Sequence, residues 1–285
     1  MKRFSISELE TFSGVKAHTL RIWERRYGLL QPERSTGNVR MYSLVQLKKL
    51  LHVAILNRHG YRISEIYKMD ETKLINTIKS LNADTASLET ALAELTLGMY
   101  NGESDMVEQL LNRILKDWSA EILVEKIIYP FLYNTSLLWI GNKLYEEHIV
   151  VTAIRQKLLF AIESLQLPAN SAESILLFLT DTRQLDLGLL YSHYFFKSRG
   201  YKVLYMGNDI TPENLKSALQ FHSFTYIFTY LRCPSQSNVD QLLSVINLHS
   251  PQSKLIIGDY HFPPSPPVLG DNVIKLHFSD ALLAI

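Results

Sequence analysis

Near residue 170 of this 285-residue chain the spacing of apolar side chains changes, and the change restricts the folds open to it. Upstream, apolar residues recur every three to four positions. Leu74, Ile78 and Leu81 share a face, as do Leu88, Leu92 and Leu95, then Val107, Leu110, Leu111 and Ile114, then Leu123 and Ile127, and finally Ile149, Ala153, Leu158 and Ile162. That period is the stripe of an amphipathic helix. Residues 71–168 are therefore expected to form a helical linker and a four-helix bundle, with breaks at Asn82, Asn101-Gly102, Pro130 and Gly141-Asn142. After a polar linker, Pro168 to Ser174, short unbroken apolar runs take over: Ile175–Leu179, Lys202–Met206, Tyr226–Tyr230, Lys254–Ile257 and Val273–Leu276. Strands covered on both faces read this way, and alternation with helical stretches implies βαβ units and a parallel sheet. Residues 174–285 are expected to be that α/β domain, entering a last helix over Ser279–Ile285.

Residues 1–70 read differently again. Ser5-Ile6-Ser7-Glu8 has the spacing of a capping box and opens a short helix that Gly14 breaks. Ala17 to Tyr27 reads as a second helix, with Leu20, Trp23 and Ile22 on its apolar side and His18, Arg21, Glu24 and Arg25 towards solvent. Two short helices about a tight Gly-containing turn make a helix-turn-helix. Pro32, Gly37 and Asn38 between apolar pairs suit a small hairpin over Gly28–Tyr42, after which Ser43 caps a third helix to about Asn57 and Ile63–Met69 forms a fourth.

Charge separates this head from the remainder. The formal total is only +1, but residues 1–69 carry 13 Lys and Arg against 5 Asp and Glu, a balance of +8. Residues 70–285 carry 16 against 23, a balance of −7. Arginine forks onto guanine edges and phosphates, so the basic helix and hairpin point to double-stranded DNA as partner. The lone Cys233 cannot form an internal disulfide, no Cys/His spacing marks a zinc site, and no metal is expected. No apolar stretch follows Met1–Phe4 and no run is long enough to span a bilayer, so a cytoplasmic protein without membrane contact is expected.

The segments Ile6–Leu9, Gly14-Val15, His18–Leu30, Pro32, Arg34, Arg40–Ser43 and Ile63–Ile66 resemble the winged helix-turn-helix of MerR-type transcriptional regulators. The resemblance implies that His18, Thr19, Arg21 and Arg25 enter the major groove. It assigns Arg34, Arg40 and Tyr42 to the phosphate backbone, while Leu20 and Trp23 hold the core.

The order of head, bundle and sheet, with Gly188-Leu189-Leu190, Gly200–Val203, Gly207, Thr211–Glu213 and Ile256–Gly258, resembles the cobalamin-dependent light-sensing repressors of carotenoid genes. Their sensor is similar to the corrinoid-binding half of methionine synthase, so a flavodoxin-like (Rossmann-like) domain is implied. In that family a histidine ligates cobalt from an Asp-x-His-x-x-Gly motif, followed by Ser-x-Leu and Gly-Gly. Counting back from Gly188, this chain has Arg183 and Leu185 at the Asp and His places. Leucine has no lone pair for cobalt, and arginine cannot accept a bond from imidazole. Thr229-Tyr230-Leu231 answers to Ser-x-Leu, and Gly258-Asp259 to Gly-Gly with the second glycine lost. Over the upper cobalt face the family places a Trp and a Glu-His pair. Trp139 and Glu147-His148 answer to these, with seven residues between Trp139 and Glu147 where the family has nine.

The reading that follows is a sequence-specific DNA-binding regulator, a repressor, that binds a palindromic operator as a dimer or tetramer. Its sensor fold is kept for assembly, and cobalamin binding is lost. Weakened or differently ligated corrinoid binding through His148, and another small ligand in the same crevice, stay open as alternatives. An acidic antagonist protein is a further candidate partner. A corrinoid carrier subunit of a methyltransferase lacks its lower histidine here and would have no use for a basic head. Asp181 and Asp186 have no partnered nucleophile or base, so no catalysis is expected.

Overall fold

The computed structural model describes residues 3–34, 37–81, 84–102, 104–135, 145–166, 173–180, 187–230, 236–258 and 272–276. They fall into two compact units, which divide at Ile154 and Arg155 within one helix.

The first unit begins with β1 (Arg3–Phe4), α1 (Ile6–Ser13) and α2 (Ala17–Tyr27). The capping box forms as its spacing predicts: Ser5 Oγ accepts from the Glu8 amide, and Glu8 accepts from the Ser5 amide at 2.7 Å. Gly14, in the left-handed region at φ 69°, ends α1. Lys16 precedes α2 and gives it no side-chain cap. Glu10 of α1 supplies one, accepting from the Ala17 amide at 2.9 Å and from Lys16 Nζ at 3.0 Å. The carboxylate of the first helix thus fixes where the second begins.

The hairpin follows as β2 (Glu33–Arg34) and β3 (Arg40–Ser43), paired antiparallel. β1 adds a third strand, with Arg3 opposite Ser43 and Phe4 opposite Tyr42, and Arg3 forms an ion pair with Glu33. A two-residue strand has no period to read, so the sequence did not announce it. Next come α3 (Leu44–Arg58), capped by Ser43, then α4 (Ile63–Ile66) and α5 (Glu71–Lys79). The expected fourth helix is one turn, shorter than Ile63–Met69.

α6 (Asp84–Asn101) and α7 (Ser104–Asp117) pack together, and α3 lies on α6. The head's core runs on without a gap into α5 and α6: Leu20, Trp23, Tyr42 and Leu50 share one cluster with Leu74, Ile78, Ala93 and Leu97. α8 (Ala120–Ile122) leads into a π-helical segment, Leu123–Ile128, and α9 (Tyr129–Asn134). Pro130 was expected to break the helix, yet the chain stays helical through it. The Tyr129 amide bonds back to the Val124 carbonyl, five residues away, and this wider turn gives the proline ring the room an α-helical turn would deny.

α10 (Tyr145–Ser164) crosses into the second unit. There β4 (Ser174–Leu179), α11 (Leu187–Ser198), β5 (Lys202–Gly207), α12 (Pro212–Phe221), β6 (Tyr226–Tyr230), α13 (Gln236–His249), β7 (Lys254–Gly258) and β8 (Val273–Leu276) alternate as the periods predict. The strands form one parallel sheet in the order β5-β4-β6-β7-β8, the flavodoxin-like order. Leu176, Phe178, Ile227, Leu255 and Ile257 cover one face against α12 and α13. Phe228 turns the other way, its ring edge-on to Phe196 of α11 at 5.6 Å. The predicted helix over Ser279–Ile285 lies outside the described residues.

The Ala17 and Lys16 bonds hold the Glu10 carboxyl below its ordinary 4.5, the backbone bond first. A lowered folded pKa means the contribution is present above pH 4.5 and fades as pH falls through the lowered value. Glu10→Ala is expected to speed hydrogen exchange at the Ala17 amide at neutral pH and to lower the urea midpoint. Unchanged exchange at Ala17 would remove the capping role.

Candidate functional site

Leu20 and Trp23 are buried, and this orients α2. Residues at i, i+3, i+4 and i+7 on the opposite side then form one exposed face of His18, Arg21, Ile22 and Arg25, with Thr19 half-buried beside it. The sequence placed Ile22 on the apolar side. It is instead 37% exposed among the basic residues, a position from which a branched alkyl group can meet a thymine methyl. Its apolar side chain next to Trp23 had suggested core, and only the observed orientation of α2 corrects this.

Arg40 and Tyr42 sit on β3, where one carboxylate of α2 holds both. Arg40 Nε donates to Glu24 Oε1 at 3.2 Å, and Tyr42 Oη donates to Glu24 Oε2 at 3.1 Å. Tyr42 is fully buried, so its expected contact with a phosphate is replaced by a positioning role. Burial, then the Glu24 charge, push its phenol up to about 12, and it stays a neutral donor at physiological pH. Arg40 is partly exposed, and a guanidinium has five N–H donors. One bond to Glu24 therefore leaves others for a phosphate. Arg34 is exposed at the hairpin and donates to Asn38, whose φ of 60° makes the turn. Glu24, read from the sequence as a solvent-facing residue, is the joint between reading helix and wing. Its Arg-Tyr partners lie 16 and 18 residues away, beyond any local pattern.

Arg58 makes a second joint within this unit. Its Nη1 donates to the Ser13 carbonyl in the helix-turn-helix turn at 2.8 Å, and its Nε to Glu89 of α6 at 2.9 Å. Among the described residues no group of three or more His, Cys, Asp or Glu is placed to hold a metal ion, and no helix is long and apolar enough to cross a membrane.

Of the positions implied for a corrinoid, Trp139, Leu185 and Leu231 lie outside the described residues, as do Arg183 and Asp259. Glu147 and His148 fall in the first turn of α10, where only the backbone is described. Gly188, Thr229 and Gly258 are described and buried. A Cβ built on Gly258 would overlap the Tyr230 ring and lie 3.0 Å from Phe228 Cζ, so the space that glycine leaves is filled by a phenol of the chain itself. Tyr230 Oη reaches the Gly188 carbonyl at 3.4 Å and Ser192 Oγ at 3.1 Å. The Thr229 hydroxyl donates to the adjacent Tyr230 carbonyl at 3.3 Å. These residues do not fit a nucleotide tail.

Residues 4–73 match the family described as MerR HTH family regulatory protein. The head is a MerR-type helix-turn-helix, and the chain is a DNA-binding transcriptional regulator. The regulator is 22% identical over 230 residues to HTH-type transcriptional repressor CarH of Myxococcus xanthus, covering 76% of this chain and 75% of CarH. It is 25% identical over 215 residues to the repressor CarA of the same organism, covering 75% of this chain and 71% of CarA. Among solved structures, the methanol:cobalamin methyltransferase complex MtaBC from Methanosarcina barkeri aligns over 72% of this chain and 79% of that chain, at 12% identity and a TM-score of 0.33. Transcriptional repressors as relatives support the non-enzymatic reading of the regulator.

If Glu24 positions the wing of the regulator, Glu24→Ala should weaken DNA binding roughly three- to tenfold, although it removes a negative charge from a basic face. Fluorescence anisotropy with operator DNA measures this. Tighter binding would mean that Glu24 acts only as a charge.

Proposed function

We propose that the chain is a repressor that reads a two-fold symmetric operator as a dimer or tetramer, and that its C-terminal module has lost cobalamin binding and serves assembly. The observation that carries the DNA reading is the exposed face His18-Arg21-Ile22-Arg25 beside a wing whose Arg40 is anchored to the same helix through Glu24. In this reading Arg21 and Arg25 address base edges with His18 and Thr19, while Arg34 and Arg40 grip phosphates. A single winged domain contacts too few bases for useful discrimination, which favours half-sites about one helical turn apart. The repressor sign draws on the names of CarH and CarA.

The division of labour is a DNA-reading head over 1–70, a helical linker and bundle over 71–168 and a sheet domain over 174–285. The loss of cobalamin rests on Leu185, which offers cobalt no lone pair, and on the filled space beside Gly258. Its DNA partner and lone Cys233 suit the reducing cytoplasm. The basic face would also suit an acidic antagonist protein, which would compete with DNA for it.

Gel-shift titrations at several salt concentrations test the two classes of contact. Arg21→Ala is expected to cost about 1–3 kcal/mol and to relax specificity at one base position. Arg40→Ala is expected to weaken all sequences alike and to flatten the salt slope by about one unit. Parent-like binding by either variant would remove that residue from the interface.

A further inference from the structure

We infer that the sheet domain carries its own occupant: the Tyr230 side chain fills the crevice at the carboxyl ends of β6 and β7, so the module closes without an exogenous ligand. The inference rests on the proposed loss of cobalamin binding and says what stands in its place.

Open α/β sheets bind ligands outside the carboxyl ends of their strands, beside the helix that follows the first strand. Tyr230 is the last residue of β6, directly opposite Gly258, the last residue of β7. Its ring is 4% exposed and stands edge-on to Phe228, with centroids 5.0 Å apart. Gly258 admits the ring because it has no side chain; alanine there would collide with Cε1 and Cδ1 of Tyr230. At its far end the phenol reaches the N-terminal half of α11, where Ser192 Oγ lies 3.1 Å away and itself donates to the Gly188 carbonyl at 2.8 Å. Ser192 is fully buried, so this polar end is closed off from water and its hydroxyls satisfy one another. One side chain thus spans from β7 to α11 by an apolar ring and a hydrogen-bonding tip. A planar aromatic ligand with one polar edge would have to make these same contacts.

A side chain that acts as a ligand should be replaceable by its detached equivalent. Apolar cavities left by truncating a ring bind small aromatics. The probe is p-cresol, the side chain of tyrosine capped with hydrogen, added to the full-length protein during thermal unfolding. Tyr230→Ala is expected to lower Tm by roughly 5–15 °C. Millimolar p-cresol should then restore a saturable part of that loss in the variant and leave the parent unchanged. Tyr230→Phe keeps the ring, so it should lose less and show no response to p-cresol. Equal Tm responses to p-cresol in the parent, Tyr230→Phe and Tyr230→Ala would overturn the inference.

Should Tyr230→Ala fail to fold, Gly258→Ala gives the complementary test. A Cβ that must expel the ring should destabilise the parent strongly and the Tyr230→Leu background much less; equal losses in both would overturn the inference. A visible spectrum of the parent, incubated with cobalamin in the dark and then freed of unbound cofactor by gel filtration, separates the two levels. A stoichiometric corrinoid band would sink the proposed loss of cobalamin and the self-occupancy with it. A blank spectrum with no p-cresol rescue would sink only the self-occupancy.

Discussion

Glu24 has one carboxylate and two partners, and the face proposed to read DNA depends on that arrangement. The Leu20 and Trp23 core decides which way α2 faces, but it says nothing about the wing. Arg40 and Tyr42 on β3 are brought to the helix by the two oxygens of Glu24, one donor each. A carboxylate on a DNA-binding face would ordinarily repel phosphate. Here a guanidinium and a phenol donate to it, and a buried Tyr42 kept neutral supplies direction without competing charge. Phe4 of β1 pairs opposite Tyr42, so the sheet edge that steadies the tyrosine is built by a two-residue strand far from it in sequence.

The helical region bears on this surface through packing and through Arg58. That residue touches the helix-turn-helix turn at Ser13 and, through Glu89, the long helix α6. Head and helices also share one apolar cluster that runs from Phe4 to Leu97. A rearrangement of α6 would therefore reach the turn that precedes the reading helix by direct contact within a single unit.

Much of this could be read from residues alone, for reasons that differ by element. The capping boxes at Ser5 and Ser43 and the recognition helix Ala17–Tyr27 follow from local chemistry, which acts over three or four residues. Five unbroken apolar runs separated by helical stretches are enough for a parallel sheet, because only doubly covered strands tolerate them. Ile22, Glu24 and Tyr42 were harder. Their roles depend on which side of α2 meets the core and on bonds between residues 16 to 18 positions apart. The two-residue β1 and the π-helical turn before Pro130 have no periodic signature. In the sheet domain, the leucine at the place where the resemblance implies a ligating histidine was legible, but the proposed occupation of the crevice by Tyr230 was not. Tyrosine at the middle place of a Ser-x-Leu-like triplet looks neutral until Gly258 and Ser192 are seen around it.

The proposed loss of cobalamin and the proposed self-occupancy of the sheet together imply a regulator whose DNA affinity does not wait on a corrinoid. Operator affinity of the full chain, measured by anisotropy without and with a tenfold excess of cobalamin, in the dark and after illumination, tests this most directly. One and the same Kd is expected in all four conditions. A Kd that shifts with cobalamin and reverts on illumination would contradict it.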